Sequence, residues 1–150
     1  MSRCRVAYST SQNVANSTTV GLAYDAASVQ VDTEGDPSSG TGYAQPANDR
    51  FRVPFDGQYL IQVGCQWAAN ATGRRGLFLQ WSDDGTNWNG FGEGARDDRL
   101  PVSGVATNQS FTITLQLPAG RYIRAVVFQN SGGTLAVNLW NISIVFLGPA

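Results

Sequence analysis

Asn48 to Trp67 reads NDRFRVPFDGQYLIQVGCQW, and this stretch decides the fold. From Gln58 onward the side chains alternate: Tyr59, Ile61, Val63, Cys65 and Trp67 share one face, while Gln58, Gln62, Gly64 and Gln66 fall mainly on the other. A period of two with one apolar face is a half-buried β-strand. Just upstream, Phe51, Val53 and Phe55 alternate with Arg50, Arg52 and Pro54. Asp56-Gly57 between the runs is a favoured tight-turn pair, so the two segments are expected to form a hairpin. Pro54 cannot donate to a ladder, which puts the first run at a sheet edge or ends it there.

The same period recurs outward. Phe111, Ile113, Leu115 and Leu117 alternate with Thr112, Thr114 and Gln116, and Pro118-Ala119-Gly120 then turns the chain into Arg121 to Gln129, a second expected hairpin. Leu135 to Leu147 sets Val137, Leu139, Val145 and Leu147 on one side and Trp140, Ile142, Ile144 and Phe146 on the other. Shorter strands are expected at Arg5–Tyr8, Thr18–Tyr24, Ser28–Thr33 and Gly76–Trp81. Polar, Gly-rich loops separate them at Glu34–Gly42, Asn70–Arg75, Asp83–Arg99 and Asn130–Thr134. No window carries helical periodicity. Eight to ten short strands with a turn signal every ten residues or so describe an all-β sandwich or jelly roll.

The chain has 150 residues, 42% apolar and only 14% charged, with 17 glycines and a net charge of −1. That length suits one domain, residues 1–150, with Met1 to Ser9 a candidate arm reaching a neighbouring protein. A charged fraction well under the roughly 25% of ordinary soluble domains implies a surface of Ser, Thr, Asn, Gln and Gly, or one covered by another subunit. The ten basic residues are all Arg and are scattered, so no basic run tracks a phosphate backbone and nucleic acid is not expected as a partner. No apolar run is long enough for a membrane span or a secretion signal, which points to synthesis in a cytoplasm. Cys4 and Cys65 are read as small buried side chains rather than a disulfide. Four sequons, at Asn16, Asn70, Asn108 and Asn141, are read as a by-product of Asn, Ser and Thr richness.

An aromatic, then Val-Pro, then Gly-x-Tyr opening a long alternating strand resembles the globular head shared by the recognition component of complement and the tumour necrosis factor cytokines. Phe51, Pro54, Gly57 and Tyr59 match that motif position by position. LQLPAGRYIRAVVFQ at Leu115–Gln129, with Gly120 at its turn, is similar to the penultimate hairpin of the head, and LWNISIVFLGP at Leu139–Pro149 to its closing strand. Ser11 to Asp32 is similar to the opening strands of bacterial and phage versions. Arg121 departs from the pattern, because an acid commonly follows the turn glycine there, and this weighs against a family-style cation site at the turn.

The resemblance implies a ten-stranded jelly-roll sandwich assembled as a homotrimer, with the closing strand near the threefold axis. The residues agree, since a final strand apolar on both faces needs cover on both. The expected apolar interface is Tyr122, Phe128, Trp140, Ile142, Ile144 and Phe146. A one-residue shift of register would exchange core for interface.

Candidate chemistry is sparse. There is no His, which removes the commonest general base and transition-metal ligand, and no catalytic site is expected. No zinc spacing, Walker loop, dinucleotide fingerprint or nucleophile elbow occurs. Asp83, Asp84, Glu93, Asp97 and Asp98 fall in one polar segment. They read as turn acids paired with Arg96 and Arg99, as oxygen ligands for Ca²⁺, or, with Glu93 and Asp97 as acid and base, as a polysaccharide hydrolase. No cofactor is otherwise expected. Trp81, Trp88 and Phe91 flank the same segment. A flat apolar face beside Asn and Asp suits sugar or protein docking, so Trp88, Asn89, Phe91 and Glu93 are candidate ligand contacts, with packing the alternative.

Together with these readings, the resemblance implies a non-enzymatic structural protein of a bacteriophage, made in the host bacterial cytoplasm. It would be displayed on the virion surface as a capsid decoration or minor tail protein, with other virion proteins as partners. The alternative is a module recognising a host-surface glycan.

Overall fold

The computed structural model describes residues 1–150, which form two antiparallel sheets built from thirteen strands. In chain order these are β1 (Arg3–Tyr8), β2 (Gln12–Val14), β3 (Thr18–Gly21), β4 (Val29–Asp32), β5 (Ala44–Gln45), β6 (Arg50–Arg52), β7 (Gly57–Trp67), β8 (Arg75–Ser82), β9 (Asn89–Gly90), β10 (Arg96–Arg99), β11 (Thr107–Leu117), β12 (Tyr122–Gln129) and β13 (Leu135–Gly148). The first sheet runs β11-β7-β13-β1-β4, with β2 also on β13. The second runs β10-β8-β12-β6-β5, with β3 on β12 and β9 on β8. No helix is long and apolar enough to cross a membrane.

Between the sheets lies one core. Tyr59, Ile61, Val63, Cys65 and Trp67 of β7 face Leu77 and Leu79 of β8 and Ile123, Ala125 and Val127 of β12, all buried. Most of its polar atoms are satisfied locally, as burial demands, with Arg75 Nε and Thr107 Oγ1 left without a partner. Trp67 Nε1 donates to Gln109 Oε1 at 2.8 Å, and Gln109 Nε2 donates to the carbonyl oxygens of Arg75 and Asp97, tying both sheets at one end. Cys4 and Cys65 are buried and unbridged, and burial lifts the Cys65 thiol to about 12.

Both expected hairpins are instead crossings between sheets. β6 pairs with β12 and β5 while β7 pairs with β11 and β13, so Asp56-Gly57 carries the chain from the second sheet to the first. Pro118-Ala119-Gly120 returns it, from β11 in the first sheet to β12 in the second. Alternation reports which residues share a face and is silent on which strand pairs with which. At the first crossing the Tyr59 hydroxyl donates to the Phe55 carbonyl oxygen at 2.7 Å and accepts from the Phe55 amide at 3.2 Å. Gly57 has φ +154°, and a Cβ there would collide with the Gly148 carbonyl oxygen and stand 2.6 Å from the Phe146 ring. Phe51 is buried against Tyr24, Pro54 follows the end of β6, and Gly120 holds φ +85° at the return, so each motif residue serves a crossing or the core beneath it.

Two further expectations are corrected. Met1 to Ser9 is no free arm: β1 lies between β13 and β4 with Cys4 and Val6 in the core. The segment Asp83–Arg99 is not all loop, because β10, sequence RDDR, pairs with β8 as an edge strand. A charged edge discourages further strand addition, and it hides the strand from any search for apolar alternation.

Candidate functional site

The sandwich presents two outer faces of opposite chemistry. On the first sheet, β7, β11 and β13 contain no charged residue. Register sets the rows of its outer face: Thr114, Leu60 and Val145; Thr112, Gln62 and Ser143; Ser110, Gly64 and Asn141; Asn108, Gln66 and Leu139. Arg3 and Arg5 border it on β1. Leu60, Leu139 and Leu147 are exposed there. Beside Arg99 and Asn108, at one end, the segment 100–105 exposes Leu100, Val102 and Val105 at 80%, 67% and 55%.

This arrangement overturns the face chosen for the interface. Trp140, Ile142 and Ile144 are at most 2% exposed and belong to the core, and Trp140 Nε1 donates to the Ala23 carbonyl oxygen at 2.8 Å. Phe146 is half-buried against Tyr59 and Phe55. An irregularity between Val137 and Leu139 flips the alternation, so Val137 points inward while Leu139 points out. Tyr122 and Phe128 lie on the opposite sheet, stacked under Arg50 at 4.0 Å and Arg74 at 5.6 Å. The six residues therefore form no common surface. The apolar residues of β13 that face outward are Leu139, Val145 and Leu147.

The outer face of the second sheet is built from arginines laid on aromatic rings. Besides those two pairs, Arg124 lies 4.2 Å from the centre of Trp88 and Arg96 5.8 Å from Phe78, whereas Arg121, 4.1 Å from Trp81, caps a ring on the core-facing side of β8. Arg124 donates through Nε and Nη2 to a single neutral acceptor, Gln80 Oε1, at 3.0 and 2.8 Å. Burial without an acid partner lowers its pKa. Ion pairs engage Arg96 with Asp98, Arg99 with Asp97 and Arg121 with Asp83, leaving Arg50, Arg52, Arg74 and Arg124 on this face with no carboxylate.

Trp88 is held over this face by the turn that precedes it. The Asp84 carboxylate accepts from the amides of Thr86 and Asn87, from Asn87 Nδ2 and from the Ser82 hydroxyl, all at 2.7–2.8 Å. These bonds hold its carboxyl well below the ordinary carboxylate range. Of the other sequence candidates, Asn89 is exposed in β9, Phe91 turns inward against the core, and Glu93 opens a 3₁₀ turn at Glu93–Ala95 near Ile113. The four are thus not one constellation. No three His, Cys, Asp or Glu side chains converge as metal ligands, and Asp97 is spent on Arg99 and on the Ser110 amide at 3.0 Å.

Reading the sequence missed Arg75, Arg124 and Gln80. Arg75 is fully buried, its guanidinium donating to the carbonyl oxygens of Asn70, Thr72 and Arg74, so the loop Asn70–Arg74 is locked around it. Arg124 and Gln80 become partners only through the β8–β12 register, which pairs them directly. The strand pattern YIRAVV already placed Tyr122 and Arg124 on one face.

No family model matches the sequence, and no curated protein sequence does. Solved structures do match in fold. The globular domain of zebrafish complement 1qA superposes with a TM-score of 0.65 at 10% identity, over 100% of both chains. Murine APRIL gives 0.62 at 12% identity over 97% of this chain and 99% of that one. The Eiger TNF of S. frugiperda gives 0.57 at 14% over 100% and 96%. The chain has the complement-1q and tumour-necrosis-factor jelly-roll fold.

Proposed function

We propose that the chain is a non-enzymatic module that assembles as a homotrimer through the outer face of its first sheet and displays the second. The observation that carries this is the uncharged face of β7, β11 and β13 with Leu60, Leu139 and Leu147 exposed on it, continuous with Leu100, Val102 and Val105. Interface cores are depleted in charge, and an exposed apolar patch rimmed by polar groups marks a contact surface. Three copies on a closing rotation share such a face without leaving it open.

The setting that fits is the surface of a bacteriophage particle, as capsid decoration or minor tail protein. Its support is in the sequence: the likeness of Ser11–Asp32 to phage versions of the head and the Lys-free composition. Many weak contacts multiplied by symmetry would give stable attachment. Adhesion rather than catalysis is favoured by the lack of His and by carboxylates engaged with arginines and backbone amides. Sedimentation equilibrium should return three times the 16.1 kDa chain mass, and a single-chain mass at micromolar concentration overturns the assembly. Immunogold labelling of intact particles tests the placement.

A second reading, a module binding host-surface glycan, is favoured by Trp88 held over Arg124 by the Asp84 turn. Trp88→Ala should then abolish glycan binding while leaving the assembly mass unchanged.

A further inference from the structure

We propose that the outer face of the second sheet binds an acidic polysaccharide, with the open edge of the Arg124 guanidinium receiving a sugar carboxylate. This deepens the glycan-binding reading and names the class of ligand.

Arg124 is a half-buried cation with no counter-ion in the chain. Its plane is fixed by Trp88 on one side and its Nε and Nη2 by Gln80. Nη1 is not buried and donates to nothing in the chain. Beside it is Gly21 of β3, where even a Cβ would stand 3.6 Å from Nη1, so the lack of a side chain at this position keeps residue 21 off the guanidinium edge. A planar fork held flat, with donors free, is the arrangement that takes a carboxylate in two parallel hydrogen bonds. Holding it in place beforehand removes most of the ordering cost of binding.

The cations form a row suited to a polymer rather than a single anion. Tyr122, Arg124 and Phe128 share one face of β12, and at about 3.4 Å per residue the stacks of Arg50 on Tyr122 and Arg74 on Phe128 fall about 7 Å and about 14 Å from Arg124. Exposed Arg52 adds a further unpaired charge next to Tyr122. A nucleic acid fits less well. The ring faces that bases would stack on are occupied by guanidinium groups, Asp83 and Asp98 interrupt the positive surface, and the chain as a whole is at −1.

Affinity electrophoresis of the full chain through gels containing polygalacturonate, neutral dextran, polyglutamate or single-stranded oligodeoxynucleotide tests this. Polygalacturonate should retard the protein and dextran should not. Arg124→Gln and Gly21→Leu should each weaken retardation at least tenfold. The first removes the charge; the second covers Nη1 with the charge kept, at a strand position whose Cβ meets only ordinary contacts. Arg3→Gln, on the other face, should change nothing. Sedimentation mass and circular dichroism of each variant confirm assembly and folding, and Gly21→Leu decides the matter if Arg124→Gln fails to fold. Equal retardation of the Gly21→Leu variant, stronger retardation by polyglutamate or oligonucleotide, or no retardation by polygalacturonate overturns the proposal. Retardation by dextran alone overturns it too, while leaving the broader glycan reading standing.

Discussion

One strand, β13, shows two kinds of surface back to back, and the two sheets repeat the contrast on the scale of the whole molecule. Inward, Trp140, Ile142 and Ile144 are buried by the second sheet of the same chain. Outward, Leu139, Val145 and Leu147 lie among Gln, Asn, Ser and Thr with nothing over them. The far side of the sandwich carries Arg50, Arg74, Arg96 and Arg124, each on an aromatic ring. Charge is absent from the three central strands of one face, where only Arg3 and Arg5 stand at the border, and concentrated on the other. A surface that hides against copies of itself avoids the desolvation cost of burying ions, whereas a surface that meets a charged ligand keeps them. The proposed division of labour between faces therefore rests on where the arginines are absent as much as on where they stand.

The joint between the faces is the sharpest place to break this arrangement. Gly57→Ala combines a backbone conformation that side chains avoid with a collision against Gly148 and Phe146, and should cost about 4 kcal/mol in a urea melt. A loss under about 1 kcal/mol would mean the crossing is not held as described. Next, the two sides of β13 separate core from proposed interface. Ile142→Ala should cost about 3 kcal/mol of folding stability with no change in assembly mass. Leu139→Arg should leave the fold intact and yield single chains. If Ile142→Ala dissociates the assembly while Leu139→Arg does not, the faces are reversed. A smaller effect is expected at Tyr59→Phe, which deletes the hydroxyl that bonds both polar groups of Phe55, at about 1–2 kcal/mol.

Much of this was legible in the residues. The alternation of β7 and the matches at Phe51, Pro54, Gly57 and Tyr59 pointed to the jelly roll, because a strand with one buried face must repeat with a period of two whatever it pairs with. Strand partners were not legible, and so Asp56-Gly57 read as a hairpin turn rather than a crossing. Nor was the inward face of β13: both faces are apolar, and the irregularity after Val137 has no signature in NLWN. The edge strand RDDR lacked any apolar residue to reveal it. The Arg124 site escaped for a different reason, since a cation, an amide and a ring from three segments become a site only once β8 and β12 are in register.

The smallest effect expected is local and depends on pH. Asp84 organises the turn that sets Trp88 over the arginine face, and its hydrogen bonds are strongest for the ionised carboxylate. Its folded pKa is depressed. The bonds therefore contribute fully above the unfolded carboxylate value of about 3.9 and are lost as pH falls from there through the lower folded value. Trp88 fluorescence should stay constant from neutral pH down to about 4 and shift only below it, while Asp84→Asn should show the shifted signal already at pH 7 with the assembly mass unchanged. Since the turn touches the second face alone, a change in mass along that acid titration before Trp88 responds would show that the two faces are not independent. Their independence is what the proposed function requires, with one sheet used to assemble and the other kept free to bind.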